Sequence, residues 1–325
     1  MRNSMKHQEW HQSALELHQS GLSGRKIAKQ LGMPKSTVND MLKEYREGTL
    51  ELSEPEPKKL NVLYWDLESS LMGTLTFGIW NQNISGNRIT KHSHLLSNSW
   101  AFNDEPPQGV RLSPEDVESS NDLMVVVDSI KAIEKADLLV SFNGKRFDVP
   151  LLKTRALLHG LPPIKFPPHL DLMQEAKKNF RFPSNSMQNI SLYLGEHGKL
   201  ATSGRNLWER CYHYQNYDDC NDALAQMLEY GLQDIDATRD LHKRLQGWFK
   251  SPVNIGLITK EINGVNTKDN RDLLCPHCSS KDVDKIGSKA YTSVSSFNIY
   301  RCGNSLCRGL SRDNAAGTKL VNYTG

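Results

Sequence analysis

NVLYWDLESS, residues 61–70, is an apolar run that ends in two carboxylates, Asp66 and Glu68. Side chains along a strand alternate between the two faces of a sheet, so residues two positions apart point to the same face. Two carboxylates on one face repel each other unless a cation neutralises them, and Mg²⁺ and Mn²⁺ prefer oxygen ligands. One interpretation is therefore a divalent-metal site, and the other is a solvated acidic pair at a sheet edge.

A second motif lies in SFNGKRFDVPLL, residues 141–152, where an apolar strand leads through a glycine turn to Asp148. Asp148 stands at the predicted start of an apolar helix, and an isolated Asp at such a position is usually a helix cap. The residues around it form a pattern more particular than capping requires, namely Asn143, Gly144, Phe147 and Pro150.

A third motif lies in YGLQDIDATRDLH, residues 230–242, within a long amphipathic segment. Tyr230 and Asp234 are four positions apart, so on a helix they share one face. A Tyr beside a metal can orient the attacking water, and an Asp there can complete the coordination. A hydrogen-bonded Tyr and Asp on the helix surface is the alternative interpretation.

The pattern around these motifs predicts a mixed α/β sheet, because a meander is followed by alternating strands and helices. Three neighbouring strands are predicted at 61–65, 73–80 and 88–96. Later predicted elements are a helix at Leu123–Ala136, a strand at 137–143, a helix at Val149–His159, a short strand near 169–173 and helices that end with Asp219–Phe249.

The N-terminal sequence GLSGRKIAKQLGMPKSTVNDMLKEY, residues 21–45, has the pattern of a helix-turn-helix. Ser23 and Pro34 mark helix starts and Gly32 supplies the turn. The pattern resembles the helix-turn-helix of invertases, resolvases and transposases, whose second helix enters the major groove; a three-helix protein-interaction module is the alternative. The expected DNA contacts are Arg25, Lys26, Lys29, Lys35, Ser36, Thr37 and Asn39.

Two cysteine pairs near the C-terminus, CPHC and CGNSLC, predict one tetrahedral Zn²⁺ site in a zinc ribbon. The predicted ligands are Cys275, Cys278, Cys302 and Cys307. The second pair has four intervening residues instead of the usual two. Disulfides are the alternative, although we expect a cytoplasmic protein, in which they are uncommon. His277 is interpreted as part of the metal-binding turn, with replacement of a cysteine as the other option.

Taken together, the three acidic motifs resemble those of the DEDD superfamily of 3′-5′ exonucleases, in the subgroup with a Tyr-x-x-x-Asp third motif. The likeness covers residues 60–247 and implies a ribonuclease H-like mixed sheet with flanking helices. It implies that Asp66, Glu68 and Asp234 hold one Mg²⁺ or Mn²⁺, and that Asp66 and Asp148 hold a second. Tyr230 would align the attacking water.

The resemblance also implies roles for residues beside the three motifs. Asn143 and Phe147 are expected to position the end of the nucleic-acid strand. Asp171, in HLDLM, is interpreted as a structural or supporting residue, with direct metal ligation the less favoured option. No substrate-gripping residue is assigned between the second and third motifs.

Composition supports a soluble chain with basic ends. The chain has 325 residues and 38% hydrophobic content, which suffices for one sizeable core and one or two small modules. It contains no apolar run of membrane-spanning length and no secretory signal at its start, so we expect a cytoplasmic protein without a membrane partner. Residues 1–50 and 271–325 carry net charges of +3 and +4 against −4 in between, which suits phosphate contacts at the ends.

The predicted organisation is a helix-turn-helix domain at 1–49, a linker at 50–59, a ribonuclease H-like domain at 60–250, a linker at 251–270 and a zinc-ribbon-like domain at 271–325. The first functional hypothesis is a two-metal 3′-5′ exonuclease acting on nucleic acid, DNA rather than RNA. The alternatives are a transposase or recombinase, a structure-specific endonuclease, and a DNA-binding regulator without catalysis. Protein partners and oligomeric state are left open.

Overall fold

The computed structural model describes residues 9–48, 57–78, 80–81, 83–195, 205–249, 253–265 and 273–323. Most of the predicted linker at 50–59, and parts of the one at 251–270, lie outside these ranges. The chain forms two compact units, Met1–Pro57 and Lys58–Gly325. Within the ranges given, no helix combines the length and apolar character needed to cross a membrane.

In its described residues the first unit contains three helices, α1 (Glu9–Gln19), α2 (Gly24–Leu31) and α3 (Lys35–Glu47). Gly32 ends α2 with φ at +64°, a conformation that side chains with a Cβ rarely adopt. The helices pack on a small apolar core that includes Ala14, Ile27, Ala28, Val38 and Leu42. The predicted helix-turn-helix region is therefore confirmed as a fold.

The second unit is built on a five-stranded sheet with the order β5-β4-β1-β6-β7. Its strands are β1 (Val62–Ser69), β4 (Leu95–Phe102), β5 (Gln108–Arg111), β6 (Leu138–Ser141) and β7 (His169–Asp171). β1 pairs antiparallel with β4 and parallel with β6, and β7 continues the parallel half. The predicted mixed sheet of ribonuclease H type is confirmed.

Helices cover both faces of this sheet. They are α4 (Pro114–Ser119), α5 (Leu123–Glu134), α6 (Asp148–Leu158), α7 (Leu172–Asn179), α8 (Met187–Tyr193), α9 (Arg205–Tyr212) and α10 (Tyr217–Leu245). Leu63 and Trp65 of β1 belong to one apolar cluster, while Tyr64 belongs to another. The period-two alternation of β1 thus separates two cores and turns Asp66 and Glu68 to the face of Tyr64.

The predicted meander is wrong in part. In its described residues the segment at 73–80 contributes only β2 (Gly73–Thr74), which pairs with β3 (Ile89–Lys91) in a separate small sheet. The antiparallel neighbour of β1 is β4, with sequence LLSNSWAF. The polar residues inside β4 interrupt the apolar pattern by which a buried strand is predicted. The apolar segment at 73–80, by contrast, leaves Phe77 95% exposed and Trp80 81% exposed.

The C-terminal part of the second unit begins with α11 (Ile255–Ile262), which lies inside the range predicted as a linker. Asn254 caps this helix, and Ile255 packs in the second apolar cluster, so tertiary contacts stabilise a helix that shows little periodicity. A four-stranded sheet of order β11-β10-β9-β8 follows, made of β8 (Val283–Tyr291), β9 (Ser296–Cys302), β10 (Leu310–Asp313) and β11 (Leu320–Asn322).

A buried polar network ties α6 to the sheet. The fully buried carboxylate of Asp122 accepts hydrogen bonds from the Leu95 backbone at 2.8 Å, from Arg155 Nε at 2.6 Å and Nη2 at 2.9 Å, and from His159 Nε2 at 2.6 Å. Burial raises the pKa of Asp122, but the hydrogen bonds from Arg155 and His159 outweigh it and hold that pKa below its usual value. α6, which begins at Asp148, is anchored through this network.

Replacing Asp122 with Ala is expected to lower the free energy of unfolding by roughly 3–5 kcal/mol, because it leaves the Arg155 charge buried without its partner. Urea unfolding measures the difference. The matched control is Asp240→Ala, at an exposed position on α10, which should change the stability by less than about 0.5 kcal/mol. Equal stabilities for the two variants would show that the network does not hold the fold.

Candidate metal centres

Three carboxylates converge at one end of β1. Asp66 and Glu68 come from the strand and Asp234 from α10, and one ligand oxygen of each lies within 4.8 Å of the others. Asp66 and Glu68 are partly buried and Asp234 is 3% exposed. Hard divalent cations bind oxygens at about 2.0–2.6 Å, so oxygens around one ion lie up to roughly 4–5 Å apart. The spacing fits one Mg²⁺ or Mn²⁺.

Gly231 allows α10 to approach the sheet beside this cluster. A Cβ at this position would collide with the Ser99 hydroxyl on β4 and crowd its Cβ, so a larger residue would force Ser99 or α10 to shift. Ser99 is the register partner of Asp66 in the β1–β4 pair. The close approach therefore brings the helix face that carries Tyr230 and Asp234 next to the strand that carries Asp66.

The loop between β6 and α6 is held by Asp171, which is 1% exposed. Its carboxylate accepts hydrogen bonds from the backbone N–H groups of Asn143 and Lys145, both at 3.1 Å, and of Gln174 at 3.2 Å. Asn143 itself has φ at +70°, a left-handed conformation that Asn tolerates better than most residues. These bonds agree with the structural role expected for Asp171.

Asp148 starts α6 at the same cleft and is 5% exposed. Burial raises its pKa to about 7, the charge of Asp171 adds to the rise, and a hydrogen bond from the Leu67 backbone opposes it. A buried carboxylate of this kind resists ionisation until a positive charge lies nearby. Its surroundings therefore suit a residue that faces a cation.

The cleft has a volume of about 500 Å³ and opens to solvent. Asp66, Glu68, Asp148 and Asp234 line it together with Asn143 and Phe147, so these six predicted site residues share one cavity. Phe147 is 62% exposed, and Asn143 Oδ1 is buried without a hydrogen-bond partner among the described residues. The cavity thus offers an exposed aromatic ring beside the carboxylates, and Asn143 belongs to its wall.

Trp208 of α9 also lines the cleft, and the sequence assigned it no role. Tyr230 does not line the cavity directly, but its ring meets that of Trp208 edge to face, with centroids 6.0 Å apart. NLWERC contains no metal-binding or catalytic spacing, so no local signal distinguishes Trp208 from a core tryptophan. Its position emerges only when α9 packs against α10.

The four predicted zinc ligands form a second cluster. The sulfurs of Cys275, Cys278, Cys302 and Cys307 lie within 4.8 Å of one another. Individual distances are 3.8 Å for Cys275–Cys307 and 3.6 Å for Cys278–Cys302, against about 3.8 Å for tetrahedral zinc with Zn–S bonds of about 2.3 Å. The sulfurs of CGNSLC, despite its four intervening residues, therefore lie at distances that fit a tetrahedral zinc site.

Proton sharing among these sulfurs is uneven. Hydrogen bonds from Cys278 and Cys307 lower the pKa of Cys275 to about 4, and the hydrogen bond with Cys275 raises the pKa of Cys307. Four thiolates this close need a cation to balance their charge. His277 lies outside the sulfur cluster, and its Nε2 donates a hydrogen bond to the Leu310 carbonyl at 3.3 Å, which suits the interpretation as a turn residue.

The predicted DNA-contacting residues lie on α2 and at the start of α3. Arg25, Lys26 and Lys29 are exposed on α2. On α3 three of the four are exposed and Thr37 is half-buried, the set being Lys35, Ser36, Thr37 and Asn39. These side chains surround the small core without contributing to it.

Comparison with known proteins agrees with this division. Residues 103–246 match the RNase H superfamily. Residues 5–52 match a homeodomain-like domain, a range that contains all seven predicted DNA contacts. The RNase H match includes Asp148, Tyr230 and Asp234 but begins after Asp66 and Glu68, which join the site through the geometry of β1.

Other comparisons add little. A search of curated proteins finds no significant match. Among solved structures, a family B DNA polymerase from the hyperthermophilic archaeon Pyrobaculum calidifontis is similar, with 15% identity over 68% of this chain and a TM-score of 0.42. The match covers 29% of the polymerase. An RNase H-like domain and a homeodomain-like domain in one chain together indicate a nucleic-acid-binding nuclease or transposase-like protein.

Proposed function

We propose that this protein is a divalent-metal-dependent nuclease that removes nucleotides from the 3′ ends of DNA. The observation that carries the proposal is the convergence of Asp66, Glu68 and Asp234 in a cleft that also contains Asp148. Mg²⁺ or Mn²⁺ bound there would supply Lewis-acid stabilisation of the charge that develops on the phosphate. The homeodomain-like unit and the zinc ribbon would hold the nucleic acid.

Each residue has a proposed task. Asp66, Glu68 and Asp234 would hold one cation, and Asp66 with Asp148 would hold the second. The Tyr230 hydroxyl, one helical turn from Asp234, would orient the attacking water, with its ring packed edge to face against Trp208. Asn143 and Phe147, which line the cleft, would position the terminal sugar and the last base.

A transposase-like activity is the second candidate, because a homeodomain-like domain accompanies the RNase H-like one. Strand transfer would join a 3′ end to a second DNA duplex, whereas hydrolysis from an end releases mononucleotides. Asp-x-Glu at Asp66 and Glu68, with Tyr-x-x-x-Asp at Tyr230 and Asp234, favours the exonuclease. A structure-specific endonuclease would release discrete internal fragments instead.

Time courses on labelled single-stranded DNA, duplex DNA and RNA test the proposal. We expect a 5′-labelled single strand to shorten stepwise in Mg²⁺ or Mn²⁺, and EDTA to stop the reaction. A 3′ phosphate should block the reaction, because it replaces the terminal hydroxyl that Asn143 is proposed to position. Discrete internal cuts, joined products, or inertness on every substrate would each contradict exonuclease activity.

A further inference from the structure

The segment that joins β1 to β4 exposes large apolar side chains. In this segment, residues 71–91, Leu75 is 65% exposed, Phe77 95% and Trp80 81%. Aromatic rings of this size are normally buried, and several such rings exposed in one short segment mark a binding surface. We refer to the described residues of this range, 71–78, 80–81 and 83–91, as the β2–β3 segment, since they contain both strands of the small sheet.

The charge of this region is unusual for the chain. The sequence contains no Asp or Glu between Glu68 and Asp104. At the chain's average of 37 acidic residues in 325, about four would be expected in a stretch of that length. The β2–β3 segment instead carries Arg88 and Lys91, and the Arg88 guanidinium lies 5.0 Å from the centre of the Phe77 ring. An aromatic surface with positive charge only is complementary to nucleic acid.

The base of the segment packs against α9, the helix that carries the cleft residue Trp208. Gly73 is five residues after Glu68 and lies against the hydroxyl of Tyr212 on α9. Lys91 Nζ lies 5.3 Å from the centre of the Tyr212 ring. Tyr212 is one helical turn from Trp208, which lines the cleft. The segment therefore starts close to the wall of the cleft.

We propose that the β2–β3 segment binds the unpaired strand of the substrate next to the cleft, with Phe77 and Trp80 stacking on its bases. This proposal rests on the proposed nuclease function and names its substrate class as single-stranded nucleic acid. Every base offers a π-face to an aromatic ring, so the contact tolerates any sequence, but bases stacked within a duplex do not offer it. Arg88 supplies positive charge beside the rings.

The test compares wild type with Phe77→Ala/Trp80→Ala in steady-state cleavage of a short single strand. We expect KM to rise about tenfold or more, as loss of a stacking contact typically does, with kcat within about twofold. Trp80→Phe should keep most of the affinity because it retains a ring. Leu157→Ala, at a site on α6 that is 78% exposed, is the matched surface control and should leave KM unchanged.

A strand with abasic sites next to its 3′-terminal nucleotides isolates stacking from charge. Wild type should bind the abasic strand as weakly as the double variant binds the normal strand. If the double variant loses as much affinity relative to wild type on the abasic strand as on the normal strand, the proposal is overturned. An unchanged KM of the double variant on the normal strand would also overturn the proposal. If its sedimentation then differs from that of wild type, the two rings serve self-association instead.

Binding measured by fluorescence anisotropy in EDTA separates this proposal from the nuclease itself. Wild type could cleave no substrate while the Phe77→Ala/Trp80→Ala variant binds the single strand more weakly than wild type does. In that case the nuclease proposal fails and the stacking surface stands. If wild type cleaves and both KM and affinity are insensitive to the double variant, the stacking surface fails alone.

Discussion

Replacing Asp234 with Asn is expected to lower the cleavage rate about a thousandfold or more. The substitution keeps the size of the side chain but removes one negative charge from a cluster whose oxygens lie within 4.8 Å. Weakened cation binding costs several kcal/mol of stabilisation of the reacting phosphate, and each 1.4 kcal/mol corresponds to about tenfold in rate. The measurement is single-turnover cleavage of a labelled strand at saturating Mn²⁺.

Asp236→Asn is the matched control, since Asp236 lies two residues further along α10 and is exposed. It should retain nearly full activity. Thermal unfolding provides a second readout: Mn²⁺ should raise the Tm of wild type and Asp236→Asn, because an ion that binds only the folded state stabilises it. Asp234→Asn should lose this increase. Equal rates and equal Mn²⁺ effects in both variants would remove Asp234 from the metal site.

Replacing Cys278 with Ser is expected to abolish zinc binding and unfold the C-terminal sheet. The buried cluster at that end consists of Cys275, Cys302 and Cys307, with Cys278 and Val283 partly buried against it, so this cluster has little apolar content without a metal. Structural zinc contributes about 10–16 kcal/mol in isolated zinc fingers, which exceeds the stability of a module this small. Metal content by elemental analysis should fall from one zinc per chain to none.

Hydrogen exchange in β8–β11 gives the structural readout, with protection lost in Cys278→Ser and in wild type stripped of metal. Cys220→Ser is the control, because Cys220 is buried in the main core, where its thiol donates to the Cys211 carbonyl at 3.4 Å. That variant should keep its zinc. Full zinc content and unchanged protection in Cys278→Ser would show that the cluster is not a zinc site.

The acidic motifs could be interpreted from sequence because each depends on local geometry. Alternation along β1 puts Asp66 and Glu68 on one face, and helical spacing puts Tyr230 and Asp234 on one face. Both relations hold whatever the rest of the chain does. The helix-turn-helix is similar, since Gly32 and the apolar spacing around it describe a unit of adjacent helices.

Strand pairing could not be interpreted in this way. β4 carries Ser97, Asn98 and Ser99 in a fully buried position, so its sequence does not have the pattern of a central strand. The apolar segment that was predicted in its place exposes Phe77 and Trp80. Pairing partners are chosen by the free energy of the whole packed sheet, and that free energy depends on residues far away in the chain.

By itself the sequence determined which side chains share a strand face or a helix face, and which cysteines can act as pairs, since backbone geometry sets those relations within a few residues. Only the tertiary structure decided that Asp66 and Glu68 meet Asp234. That meeting needs α10 close to β4, which Gly231 permits at Ser99. Tertiary packing also brought Trp208 to the cleft, because contacts between distant elements depend on shape and burial that no local period encodes.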